Sequence, residues 1–171
     1  IDDNGNFSFD HYEARCDTKN FMAQQKSLQN GQIFEFSPDA NYILDELCSF
    51  LKYSKGHLLI FDYGFLNTSF SSTLQSLYKN QKTNLLDNIG KQDITYHINF
   101  NEFKNIIVKF KPEAINFYNQ SEFLEKNGIH ERAHDLIQNN SDIKDETEQQ
   151  VKRLWGKEEM GELFKVLEVV F

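Results

Sequence analysis

The chain is too poor in cysteine to be held together by disulfides. Cys16 and Cys48 are its only two. They lack the Cys-x-x-Cys spacing of a metal ribbon or redox motif, and their density falls far short of a secreted disulfide scaffold. Long apolar runs are missing too: none approaches the roughly 20 residues that a membrane-spanning helix needs, so no membrane span is expected. Positive charge is also short. With 18 Lys and Arg against 26 Asp and Glu, the formal net charge is −8, and the chain has no positive field to draw in a phosphate backbone. Nucleic acid is therefore not an expected partner. The eight glycines, Gly5, Gly31, Gly56, Gly64, Gly90, Gly128, Gly156 and Gly161, stand singly, and no pair has the close spacing of a nucleotide-binding loop. Ile1 opens an acidic, turn-like stretch rather than an apolar signal region. A reducing, soluble compartment is expected, and further sequence upstream of Ile1.

What is present is enough for one core. The 171 residues, 39% hydrophobic and 14% aromatic, predict a single domain over 1–171. Phe7, Phe9 and His11 alternate with polar residues after Asn4-Gly5 and predict a strand, with a second at Gln32 to Phe36. Cys16 to Asn30 reads as a loop or weak helix. Ser37-Pro38-Asp39 is a helix start, because the hydroxyl can cap free N–H groups and proline at the first position gives up no needed donor. Ile43, Leu44, Leu47, Phe50 and Leu51 then recur at the spacing of one helix face. After Gly56, the run His57-Leu58-Leu59-Ile60-Phe61 predicts a central strand buried on both faces. Leu74, Leu77 and Tyr78 suggest a short helical stripe, and Asp93 to Ile98 an extended segment. Asn99 is placed to cap a helix that Pro112 stops. A strand at Ala114 to Tyr118, helices near Ser121 to Lys126, His130 to Gln138 and Asp142 to Trp155, and a terminal strand from Leu163 to Phe171 complete an α/β pattern.

Chemistry-bearing residues gather where the buried strand ends. Asp62-Tyr63-Gly64 places a carboxylate, a phenol and a glycine at the edge where open parallel sheets hold ligands. The alternative is that Asp62 only caps a turn and Gly64 only allows a bend. In Asp93-Ile94-Thr95-Tyr96-His97 the carboxylate, hydroxyl and imidazole alternate, hence share one face of an extended segment. That stretch also reads as an Asp-Thr turn with a surface histidine. His130 and His134 lie one helical turn apart with Glu131 between them, a spacing that can hold a metal. The segment lacks the His-Glu-x-x-His order and shows no third ligand, so no metal is expected.

Several short motifs occur in a fixed order: Gly31 to Pro38, then Ile60-Phe61-Asp62-Tyr63-Gly64, then Thr73-Leu74-Gln75. Leu85-Leu86-Asp87-Asn88-Ile89-Gly90 follows, leading into Asp93-Ile94-Thr95 with His97 and Phe100. Asn119-Gln120-Ser121-Glu122-Phe123-Leu124, Gly128-Ile129, and Met160-Gly161-Glu162-Leu163-Phe164-Lys165-Val166-Leu167 close the series. Together they resemble the MidA family of S-adenosylmethionine-dependent methyltransferases over nearly the whole chain. Leu85, Asn80, Asn99 and Ser72 depart from the family's usual residues.

The resemblance implies the C-terminal portion of a Rossmann-like class I methyltransferase sheet with helical insertions and its first strands missing. The implied cofactor is S-adenosylmethionine, bound in the intact family fold through residues this chain does not identify and not by this chain alone. The implied activity is methylation of a protein arginine, on a subunit of respiratory complex I, in a bacterial cytoplasm or a mitochondrial matrix. In that setting Asp62 and Asp93 become the candidate guanidinium clamp, His97 a proton acceptor or orienting group, and Tyr63, Gln75 and Thr95 pocket-lining residues. A protein-binding module without chemistry, or the product of a split gene, are the alternative classes. A sheet without its first strands is expected to expose an apolar edge that a homodimer would cover.

Overall fold

The computed structural model describes residues 7–13, 29–67 and 69–171. Contacts divide the chain into two compact units, one of Ile1–Ala40 with Ser69–His97, the other of Asn41–Thr68 with Ile98–Phe171.

The second unit is built on a mixed four-stranded sheet. Its strands are β1 (His57–Phe65), β5 (Ile98–Asn99), β6 (Ala114–Asn119) and β7 (Phe164–Val170), in the order β5-β1-β7-β6. β7 runs antiparallel to both β1 and β6, so those two are parallel to each other, with the terminal strand reversed between them. Paired on both edges, β7 carries the centre of the core, with Val166, Leu167 and Val169 fully buried. Helix α1 (Pro38–Ser54) precedes β1 and α2 (Phe100–Ile107) follows β5. α2 contributes Phe100, Phe103 and Ile107 to the core, and α1 contributes Leu44 and Cys48. Three further helices lie between β6 and β7: α3 (Gln120–Lys126), α4 (Ile129–Asn139) and α5 (Lys144–Trp155).

The predicted helix starts are in place. Ser37 Oγ accepts the Ala40 N–H at 3.3 Å at the head of α1. Asn99 Oδ1 accepts the Asn101 N–H at 3.1 Å at the head of α2, satisfying a donor that no helical carbonyl can reach. The apolar runs are less fully buried than their composition predicts. On α1 the stripe Ile43, Leu47 and Phe50 is exposed, and on β1 so are His57, Leu59 and Phe61. Among the described residues β1 is also not flanked along its whole length: β7 pairs with residues 57–63, but β5 meets only Gly64 and Phe65 on the other edge.

The first unit holds a three-stranded antiparallel sheet, β3-β2-β4, of β2 (Gln75–Tyr78), β3 (Gln81–Thr83) and β4 (Asp93–Thr95). The helical stripe expected at Leu74, Leu77 and Tyr78 is thus a strand. The reason lies in the turn: Lys79 and Asn80 both have positive φ, 52° and 62°, the left-handed pair that closes a tight hairpin. The strands expected at Phe7 to His11 and Gln32 to Phe36 are not regular strands. Residues 7–13 have no regular structure, and 32–37 run without a ladder, tied by the Ile33 N–H to the Phe70 carbonyl at 3.0 Å. Alternation of polar and apolar residues does not specify a strand where no partner edge is supplied. Most of the loop or weak helix expected at Cys16 to Asn30 falls outside the described residues.

Candidate functional site

The six candidate residues divide between the units: Asp62 and Tyr63 in the second, Gln75, Asp93, Thr95 and His97 in the first. Asp62 lies within β1, three residues short of its end, half-buried, opposite Lys165 of β7. Its Oδ1 accepts the Tyr63 N–H at 2.7 Å. The Tyr63 ring packs on Phe164, with centroids 4.1 Å apart. Gly64 is buried for a steric reason. A Cβ there would run into the Ile98 carbonyl oxygen and come within 2.6 Å of the Phe100 ring, so glycine is what lets β5 approach β1.

In the first unit the sheet brings two candidates face to face. Gln75 is the register partner of Thr95, and Asp93, one alternation away, pairs with Leu77 on the same face. His97 lies beyond β4, and its N–H donates to Thr73 Oγ1 at 2.8 Å. A cavity of about 460 Å³ runs beside this sheet, lined by Gln75, Ser76, Lys82 and Leu85 among others. Along its wall, Ser76 Oγ donates to the Thr83 carbonyl at 2.8 Å and Thr83 Oγ1 donates to Gln92 Oε1 at 2.9 Å. Gln92 Nε2 in turn reaches the Leu85 carbonyl at 2.6 Å, so the turn after β3 is pinned to the strand.

The residue that organises this unit is one the sequence reading passed over. Glu35 Oε1 accepts from Ser72 Oγ at 3.0 Å and from the N–H groups of Thr73 and Leu74 at 2.9 Å each, while Thr73 Oγ1 donates to Oε2. Burial pushes its carboxyl up, yet the hydrogen bonds from Thr73, Ser72 and Leu74 outweigh that and hold it below the usual carboxylate value. Thr73 is then the link, bound to Glu35 on one side and to the backbone of His97 on the other. The available signal was a single acid between two aromatics, Phe34 and Phe36, just before a helix start.

Elsewhere, His130 stacks edge-on against Trp155 with centroids 5.0 Å apart, and His134 Nε2 bonds Gln138 Nε2 at 2.8 Å. Among the described residues no three His, Cys, Asp or Glu side chains gather as a metal site, and no helix is long and apolar enough to cross a membrane.

A mixed sheet with its last strand reversed between parallel neighbours, and a second, smaller sheet carrying Gln75, Asp93 and Thr95, define an α/β protein. The chain belongs to the Methyltransf_28 (MidA) family, described as "Putative S-adenosyl-L-methionine-dependent methyltransferase", which matches residues 1–115. Two solved structures from Burkholderia thailandensis are similar to it over its whole length. One is an uncharacterised COG1565 superfamily protein at 24% identity and TM-score 0.85; the other, a member of the same superfamily bound to S-adenosyl-homocysteine, stands at 25% and 0.83. The chain covers 47% and 46% of them, so it spans about half the length of the solved relatives it matches. Comparison with curated proteins gives no match.

The described residues do not fit the cofactor by themselves. The glycine at the strand end, Gly64, is closed off by Ile98 and Phe100 rather than open as a cradle, and no closely spaced glycine pair stands elsewhere.

Proposed function

We propose that this chain is the acceptor-side part of a methyltransferase acting on a protein arginine, with a subunit of respiratory complex I as the class of acceptor, and that another polypeptide segment supplies the cofactor-binding half. The observation that carries the reading is the likeness, at 25% identity and across the whole chain, to about half of a protein bound to S-adenosyl-homocysteine. When bound to that other half, S-adenosylmethionine supplies the methyl group.

The part left to these residues is positioning and proton handling. A guanidinium nitrogen attacks well only when its lone pair is aimed, and a carboxylate that holds the group by paired hydrogen bonds supplies that aim. Each unit offers one carboxylate for that role, Asp62 in the second and Asp93 in the first. In the first unit Gln75 and Thr95, facing each other across β2 and β4, are assigned to the acceptor side with one amide and one hydroxyl, and in the second Tyr63 is assigned as a ring wall beside Asp62. His97 is assigned to accept the proton that the nitrogen releases or to orient the acceptor.

The test joins this chain to a glycine-rich donor half and follows labelled methyl transfer to an arginine peptide. Asp62→Ala and Asp93→Ala are each expected to lower the rate by about 100-fold, the scale of a lost orienting group. Unchanged methylation by either variant would sink that residue's role, and no methylation by the joined protein would sink the reading.

A further inference from the structure

A cavity of about 400 Å³ in the first unit is lined by Phe34, Glu35, Phe36, Ser37, Leu74 and Tyr96. We propose that it binds a basic side chain of a peptide, a residue flanking the one that reacts, so that the chain reads its acceptor at a second position. This rests on the reading that the acceptor is a protein.

Three features argue for a cation. The first is charge. Glu35 is held ionised by its hydrogen bonds, and all its donors are neutral, so they orient dipoles toward the carboxylate without cancelling its charge. Among the described residues no cationic side chain pairs with it. The second is capacity. Each carboxylate oxygen has two lone pairs and can accept two or more hydrogen bonds. Oε1 already takes three donors, but Oε2 takes only Thr73 Oγ1, which leaves Oε2 an acceptor position for a ligand N–H. The third is the wall. Tyr96 lines the cavity beside that charge, and an aromatic ring attracts ammonium and, still better, flat guanidinium groups. The start of α1 lies at Ser37 and opposes a cation, but it carries only about half a charge, with one N–H already capped by Ser37 Oγ. The full charge of Glu35 prevails.

An occupant would also be felt at the acceptor side. Glu35 is joined through Thr73 to the backbone of His97, and Leu74 leads into β2 at Gln75. Filling the second position would therefore stiffen the two segments that carry Gln75 and His97.

The experiment titrates the chain with acetyl-Gly-Arg-Gly-amide and follows the amide signals of Thr73, Leu74 and Tyr96 by NMR. The same peptide with citrulline, which is neutral and nearly isosteric, and free arginine serve as comparators. Saturable binding in the millimolar range is expected for the arginine peptide, at least about 10-fold weaker for the citrulline peptide, the size of a charge-assisted bond. Glu35→Gln is expected to weaken binding by a similar factor and Tyr96→Leu by about 3- to 5-fold. Equal binding of the citrulline peptide, or no weakening in Tyr96→Leu, overturns the proposal even if Glu35→Gln disturbs the loop. Free arginine binding as tightly as the peptide overturns the peptide as occupant. Methyl transfer is not part of the readout, so a failed binding test leaves the proposed activity standing, and a failed methylation test leaves the pocket.

Discussion

Glu102 of α2 is half-buried, and burial pushes its carboxyl up to about 7, well above the usual value near 4.5. A folded-state value above the unfolded one means that its contribution to stability is fully present below about pH 4.5 and is lost as pH rises through about 7. Glu102→Gln removes that loss. Solvent still reaches part of the side chain, which keeps the effect to about 1–2 kcal/mol, or about 2–6 °C in melting temperature. Thermal melts of the two proteins should coincide near pH 4 and separate at pH 8 with the glutamine variant higher; parallel curves across that range would refute it. Glu35 has the opposite sign. Its depressed value gives stability present above about pH 4.5 and lost as pH falls through the folded value. Neither behaviour was legible in the sequence, because both depend on what surrounds a carboxylate in space. Gly64 was half legible: its place beside Asp62 and Tyr63 marks a strand end, but only the nearness of Ile98 and Phe100 shows that a side chain cannot fit. Gly64→Ala should cost 3 kcal/mol or more, since buried overpacking against backbone has no cheap relief. A urea midpoint unchanged from the parent would disprove that.

At the scale of elements, local chemistry predicts starts and stops well. Ser37 before Pro38 and Asn99 before Phe100 are both read from residue type alone, and both cap as expected. An amide oxygen caps as a carboxylate does, so Asn99→Asp should alter stability by only a few tenths of a kcal/mol. Asn99→Ala should cost about 1–2 kcal/mol, because the Asn101 N–H loses its acceptor beside a buried residue. Denaturant melts of the two variants check both values, and a silent alanine variant would show that the cap contributes nothing. Asn80 also suits its place, because asparagine tolerates the positive φ of a hairpin turn. That turn also explains the misread stripe at Leu74, Leu77 and Tyr78. Four residues are too few for periodicity to separate strand from helix, and the deciding signal lay in the two residues that follow. The pairings of β7 with β1 and β6 are beyond any local rule, because they join residues about 100 and 50 positions apart.

Across the whole molecule, the fold class was legible because a run such as His57 to Phe61 and a terminal strand as apolar as Phe164 to Val170 need a sheet to enter. Legibility failed over what covers them. Leu59 is 47% exposed, Phe50 66% and Ile43 57%, and among the described residues no strand pairs with β1 over residues 57–63 on the side away from β7. Exposed apolar side chains and unpaired strand-edge N–H and C=O groups are both kinds of surface that recruit another chain. The chain spans about half of its solved relatives, so the other half of such a protein is one occupant for that edge, and a second copy of this chain is the other available when it is alone. Sedimentation of the isolated chain should therefore show self-association that grows with concentration. Leu59→Lys and Phe50→Lys should each shift it toward monomer, since a charge on the covered face costs several kcal/mol to bury without a partner. Adding a separately expressed donor half should compete with self-association, replacing the symmetric species by a one-to-one complex that the same lysine substitutions weaken. A chain that stays monomeric at all concentrations, and whose behaviour those substitutions leave unchanged, would mean that this edge recruits nothing.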